Sequence, residues 1–265
     1  MYTVKAALKT FVFSRLSDFF ILAVFLLFVY VTGSSDLSII FLSTPFLTFH
    51  SIYIYTYSLN LLNILSVLLS AAAGIKAAQF ITHVWLPDAM EAPTPASALI
   101  HSSTLVIMGI FLIIRFQVLF EFSYLGNHIL VLFGSVTIAT GAISSFYQND
   151  IKKLIAFSTI SQMGYLFCGC GFLAYKEVIF YLITHALNKA FLFMLAGYIV
   201  HFNQSNTDLR HISGTGLWNL TVQFILLIVS LNLTGLPLTS GFMAKELLVF
   251  QTFKVHFFFN IARVF

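Results

Sequence analysis

The stretch LLNILSVLLSAAAGIKAAQFITHVWLPDAMEAPTPASALIHSSTLVIMGIFLIIR, residues 61–115, decides the fold. Two apolar runs flank a middle segment, 81–95, that holds Pro87, Pro93 and Pro95 with Asp88 and Glu91. The runs are long enough to cross a bilayer, about 20 residues each. The segment between them is too polar to face lipid. Irregular backbone at membrane depth survives only when protein buries it or when it lines a water-filled cavity. The pattern therefore predicts spans that are broken inside a helical bundle.

The rest of the chain agrees. Of 265 residues, 59% are hydrophobic and 8% charged, where soluble domains carry about 25% charged residues. The mean hydropathy is +0.96. Spans are expected at 12–33, 58–80, 96–115, 126–147, 152–173, 177–200, 218–235 and 239–258, eight in all, within one transmembrane domain over residues 1–265. Residues 34–57, interrupted by Ser34, Ser35, Asp36 and Pro45, read as a loop with interfacial parts. Gly235 and Pro237 predict a second helix break at 233–240. Alternating spans collect Lys5, Lys9, Arg15, Lys152, Lys153, Arg210 and Arg263 on one side, against Arg115 and Lys176 on the other. The richer side should face the cytoplasm or a mitochondrial matrix.

The net charge of +4 is scattered, which excludes a nucleic-acid-binding stripe. Cys168 and Cys170 are two apart in an apolar run and face nearly opposite sides of a helix, so they cannot chelate a metal together. The chain shows no haem, iron–sulfur or dinucleotide motif. Any redox chemistry belongs to partner chains.

Ionisable groups inside spans cost about 2.5–3.5 kcal/mol each on insertion scales, so they are functional candidates by default. Lys76 closes an apolar run, where it either snorkels or exchanges a proton against a partner carboxylate. His101 shares a helical face with Ser97 and Thr104 and suits proton relay, the alternative being a core histidine bonded to a carbonyl. His185 and Lys189, four apart, share one face in mid-span, which suits water-filled conduction better than stability. Lys245 and Glu246 follow the Gly235–Pro237 break and project about 100° apart, so each requires a partner elsewhere. Ser158, Ser161 and Gln162 form a polar stripe that either joins water wires or bonds carbonyls. Arg15 and Asp18, three apart, either pair at a helix end or act near the channel.

The sequence Lys76-Ala77-Ala78-Gln79-Phe80, followed by His83-Val84-Trp85-Leu86-Pro87-Asp88-Ala89-Met90-Glu91-Ala92-Pro93-Thr94-Pro95-Ala96-Ser97-Ala98-Leu99-Ile100-His101, resembles the subunit 5 family of the NADH dehydrogenase of respiratory complex I. The run Asp150 to Tyr165, Thr184-His185-Ala186, Lys189-Ala190, Gly235-Leu236-Pro237 and Lys245-Glu246 continue the likeness. The resemblance implies an all-α, antiporter-like bundle of inverted five-helix repeats with discontinuous helices. It implies a central polar axis through Lys76, His101, His185, Lys189 and Lys245 that carries protons, with Glu246, Asp18, Arg15, Ser161, Pro87, Asp88 and Pro237 in support. Glu246 stands where the family often has Asp, and Tyr181 where relatives can have a further His.

It also implies a mitochondrial inner membrane or bacterial plasma membrane location, lipid and membrane-arm partner subunits, and no cofactor in this chain, with flavin, iron–sulfur clusters and quinone elsewhere. The family's subunit is about twice as long. The expectation is that this chain is its central portion, with a split gene and other chains supplying further helices, among them one with a glutamate for Lys76. An Mrp-type cation/proton antiporter, a membrane-bound hydrogenase subunit and a purely structural membrane fragment are the alternatives.

Overall fold

Among the described residues, twelve α-helices follow one another. They are α1 Tyr2–Thr32, α2 Leu37–Leu47, α3 Leu61–Lys76, α4 Trp85–Asp88, α5 Thr94–Ser102, α6 Leu105–Arg115, α7 Gln117–Phe122, α8 Tyr124–Phe146, α9 Ile151–Gly171, α10 Tyr175–Phe202, α11 Leu220–Thr234 and α12 Ser240–Ala262. The computed structural model describes residues 2–54, 57–102, 104–203, 206–211 and 220–262. Among them, five helical segments are long and apolar enough to cross a membrane: Thr3–Thr32, Thr94–Arg115, Tyr124–Phe146, Ile151–Gly171 and Tyr175–Phe202. Leu61–Lys76 and Leu220–Thr234 are apolar but shorter. The α-helical transmembrane bundle expected from the sequence is the architecture found.

Boundaries differ in four places. The first span begins at Tyr2, ten residues before the expected start. Lys9 is tolerated in this helix because its ammonium pairs with Asp88 at 2.5 Å. Arg15, expected in the opening turn of the first span, therefore lies near the middle of a longer helix. Second, the described residues between 34 and 57 are more regular than a loop. Helix α2 runs through Pro45. A proline there leaves the carbonyl four residues earlier without its amide, and the Thr44 hydroxyl donates to that Phe41 carbonyl at 2.9 Å. A two-stranded antiparallel hairpin follows, β1 Ser51–Ile54 and β2 Tyr57–Asn60, with Ser51 opposite Asn60. Asn60 then caps α3, accepting from the Leu62 amide at 3.1 Å and donating to the Thr48 carbonyl at 2.8 Å.

Third, the expected span 96–115 is two helices, α5 and α6. Ser and Thr hydroxyls compete with backbone donors inside helices. Here Ser102 donates to Ala98 at 2.6 Å, and both the amide and the hydroxyl of Thr104 donate to Leu99, at 3.2 and 3.0 Å. The helix ends there, so Thr104 leaves the face shared by Ser97 and His101 and is exposed. Fourth, the break after α3 is abrupt. Ala78 and Ile81 adopt φ of 50° and 78°, and Lys76 becomes the last residue of α3.

The core is built on an α8–α9 pair, with α3 packed against α1 and α6, and α10 against α5 and α9. Glycines let α8 and α9 approach closely. A Cβ on Gly134 would stand 2.6 Å from Cys168 Sγ, and one on Gly164 would stand 2.5 Å from Thr137 Oγ1. Cys168 and Cys170 are buried and unbridged, in keeping with packing residues. One end of the bundle gathers several charges. Lys152 donates to the Ala92 carbonyl at 3.5 Å, and the loop before α9 pairs with 206–209 through Leu209 N to Asn149 O at 2.9 Å. Lys9, Asp88, Lys152, Asp208 and Arg210 thus share the side predicted to be richer in positive charge. Arg263, assigned to the same side, lies outside the described residues.

Candidate functional site

The site is a chain of ionisable side chains set at helix breaks. At the first break, Lys76 Nζ meets Asp18 Oδ1 of α1 at 3.0 Å, and Arg15 Nη1 reaches the other carboxylate oxygen at 3.6 Å. Lys76 is mostly covered, whereas Asp18 is about half exposed, at 14% and 45% of the side-chain surface. The sequence expectation placed the carboxylate partner of Lys76 in another chain. The structure supplies one inside this chain, and it turns Arg15–Asp18 from a helix-end pair into part of the site.

Several carbonyls of the last turn of α3 find partners from outside the helix. Ala72 accepts from Ser17 at 2.9 Å, Ile75 from Trp85 Nε1 at 3.1 Å, and Gly74 from the Gln79 amide at 2.9 Å and Thr82 at 3.2 Å. Buried Gln79 also accepts from Thr137 of α8 at 2.8 Å. In the segment 81–95, Trp85, Leu86, Ala89 and Met90 are buried and Pro87 and Asp88 half-buried, while Ile81, Val84, Glu91, Pro93 and Pro95 are exposed.

Helix α10 brings His185, Asn188 and Lys189 into the interior, at 1%, 8% and 1% exposure. Lys189 Nζ donates to Ser158 Oγ at 2.5 Å and to the Ile155 carbonyl at 3.3 Å, both on α9. Gln162, one turn further along α9, accepts from the Tyr181 hydroxyl. The polar stripe of α9 is therefore split in use. Ser158 serves Lys189 and Gln162 serves Tyr181, while Ser161 donates to its own helix at the Ser158 carbonyl, 2.9 Å away. His101 is fully buried and stacks on Phe193 of α10, centroids 5.4 Å apart. Both ring nitrogens of His101 and of His185 have no hydrogen-bond partner among the described residues.

At the last break, Lys245 donates to the Leu233 carbonyl across the turn between α11 and α12. It lies within electrostatic range of Lys189 and His185. Glu246 points away and is exposed, as is Pro237. Sequence reasoning missed Asn188 and Asn232, whose side chains bond to each other at 2.8 Å. Their position beside a lysine and beside a Gly-Pro turn was the available signal.

Broken helices, a lysine–carboxylate pair and a buried His–Lys line thus lie within one membrane bundle. A model of the transmembrane region described as NADH:quinone oxidoreductase/Mrp antiporter matches residues 1–265. The chain belongs to that family. Among members of the NADH:quinone oxidoreductase/Mrp antiporter family, NADH-ubiquinone oxidoreductase chain 5 of Nyctotherus ovalis is 43% identical over 251 residues, 93% of this chain and 14% of that protein. NADH-quinone oxidoreductase subunit L of Rickettsia typhi is 41% identical over 92% of this chain and 37% of its own length. The fold matches a chain of the Mrp complex from a Dietzia species, with TM-score 0.81 and 31% identity over 93% of this chain and 26% of that one. The chain thus spans well under half the length of these family members.

Proposed function

We propose that this chain is the proton-conducting portion of a membrane-arm subunit of NADH:ubiquinone oxidoreductase, in a mitochondrial inner membrane. The observation that carries the reading is the Lys76–Asp18 pair at 3.0 Å, continued by a buried His101, His185 and Lys189 toward Lys245. Identity of 43% to a complex I chain 5 supports the assignment to that assembly. In the assembled subunit, the further helices found in full-length relatives complete the bundle, and neighbouring subunits carry flavin, iron–sulfur clusters and quinone. This chain moves protons and performs no redox step.

The mechanism follows from the partners of each cation. A primary ammonium can give up a proton only when its counter-charge weakens or moves. Lys76 faces a full carboxylate, so displacement of Asp18 by conformational coupling frees its proton. Lys189 faces only a hydroxyl and a carbonyl, and Lys245 a carbonyl, so neither is locked by a formal charge. Burying the orphaned imidazoles of His101 and His185 without partners is costly. Water entering between α5 and α10 satisfies them and joins Lys189 to the axis. Tyr181, bonded to Gln162, provides a hydroxyl at the far side of His185, its ring centroid 6.4 Å from that imidazole.

The test is proton uptake per NADH oxidised in sealed membrane vesicles. Lys189→Ala in an assembled complex is expected to lower that ratio; an unchanged ratio overturns the reading. The 31% identity to a chain of an Mrp complex favours cation/proton antiport as the second reading. Sodium-driven proton exchange without NADH-oxidising subunits would decide for it.

A further inference from the structure

The break between α11 and α12 is tied to α10 by one side chain. Asn232, in the last turn of α11, donates through Nδ2 to Asn188 Oδ1 at 2.8 Å. Its own Oδ1 accepts from the Gly241 amide at 2.7 Å and from Ser240 Oγ at 3.0 Å. The same carboxamide therefore closes the first turn of α12 and anchors it to α10. The next residue, Leu233, offers the carbonyl that holds Lys245, and the residue after Asn188 is Lys189. Each asparagine thus sits one position from the partner or owner of an ammonium. Neither is needed to complete a regular helix, and Asn is a poor helix former. An exposed cap would suffice at the surface, but Asn188 is 8% exposed.

We infer that Asn188 and Asn232 are positioning residues, an amide clamp that fixes the α11–α12 break, and with it Lys245, against the turn of α10 that carries Lys189. The clamp is neutral, so it fixes distance without adding a charge that would trap either proton. Its geometry is directional. Nδ2 of Asn232 must face α10 for its Oδ1 to face Gly241, so one orientation serves both helices.

The inference rests on the proton-conducting reading, and the experiment separates the two. Asn188→Ala, Asn232→Ala and the double variant are made in the intact membrane complex, with Lys189→Ala alongside. Assembly is followed by native electrophoresis, and proton yield per NADH oxidised is followed across pH 6–9. Each single variant is expected to lower the yield and to shift its pH profile, and the double variant to do no more than Asn232→Ala, because residues of one clamp are not additive. If Lys189→Ala lowers the yield while the asparagine variants leave both yield and profile unchanged, or act additively, the clamp is overturned and conduction stands. If Lys189→Ala has no effect, the functional reading fails first. Where an alanine variant does not assemble, Asn188→Ser and Asn232→Ser replace it under the same criteria.

Discussion

Lys76 Nζ lies 3.0 Å from Asp18 Oδ1, joining the terminal residue of α3 to the middle of α1. Asp18 is also held by Arg15 at 3.6 Å, so the carboxylate sits between two cations of unequal burial. Replacing it with a neutral isostere, Asp18→Asn, is expected to cost about 1–3 kcal/mol of stability, because it leaves a mostly covered ammonium without its counter-charge. The proton yield per NADH should fall in an assembled complex. Arg15→Ala, at a side chain 67% exposed, should change either quantity far less. A ratio equal to wild type in Asp18→Asn would refute the pair's role.

Lys189 relies on Ser158 and a backbone carbonyl. Ser158→Ala removes the only side chain bonded to it among the described residues. Hydrogen bonds inside membrane bundles average about 0.6 kcal/mol, so the variant should fold and assemble. Its proton yield should drop and be restored by Ser158→Thr, which keeps the hydroxyl. Measuring both variants side by side distinguishes loss of the hydroxyl from loss of packing.

Gly241 and Gly33 make a contrast in what a methyl group costs. A Cβ at Gly241 would overlap the carbonyl oxygen of Asn232, while one at Gly33 meets nothing within 4 Å and suffers only from φ of 68°. Gly241→Ala should displace the start of α12 and reduce assembled complex severely. Gly33→Ala should cost about 1–2 kcal/mol and leave assembly near wild type. Comparable losses in the two would contradict the close approach at the second break.

The 206–211 turn, which closes against the loop before α9 through the Leu209 amide, is clasped from within and responds to acid. Arg210 donates to Asp208 at 2.7 Å, and these bonds hold the Asp208 carboxyl down at about 2, from an ordinary 3.8. A depressed folded-state value stabilises above the unfolded one and is lost as pH falls through the folded one. The clasp should therefore be indifferent to pH from 5 to 9 and loosen only below about 3.8, toward 2. Hydrogen exchange of the Leu209 amide, corrected for its intrinsic rate, measures this. Asp208→Asn should loosen it at neutral pH.

Much of this molecule can be read from residues 61–115 alone, because hydropathy fixes where lipid is and prolines fix where helices cannot continue. The break at Gly235–Pro237 was equally open to reading. The α5–α6 break was not, since it turns on which carbonyl the Thr104 hydroxyl chooses, and that choice depends on packing. The cations of the axis were legible as costly residues in apolar runs, but their partners were not. Asp18 lies 58 residues before Lys76, and nothing local announces that α1 folds beside α3. Asn188 and Asn232 carried only a positional signal, because a neutral amide in a span has a small enough cost to pass as packing.

The glycine contacts between α8 and α9 carry a mechanical consequence. At Gly134 and Gly164 there is no room for a side chain, so the two helices meet backbone to backbone. Ser158 and Gln162 are carried on this tightly packed pair. Lys189 and Tyr181 therefore bond to a closely packed pair, and on the proposed proton-conducting reading any displacement is taken up at the helix interruptions after α3, α5 and α11.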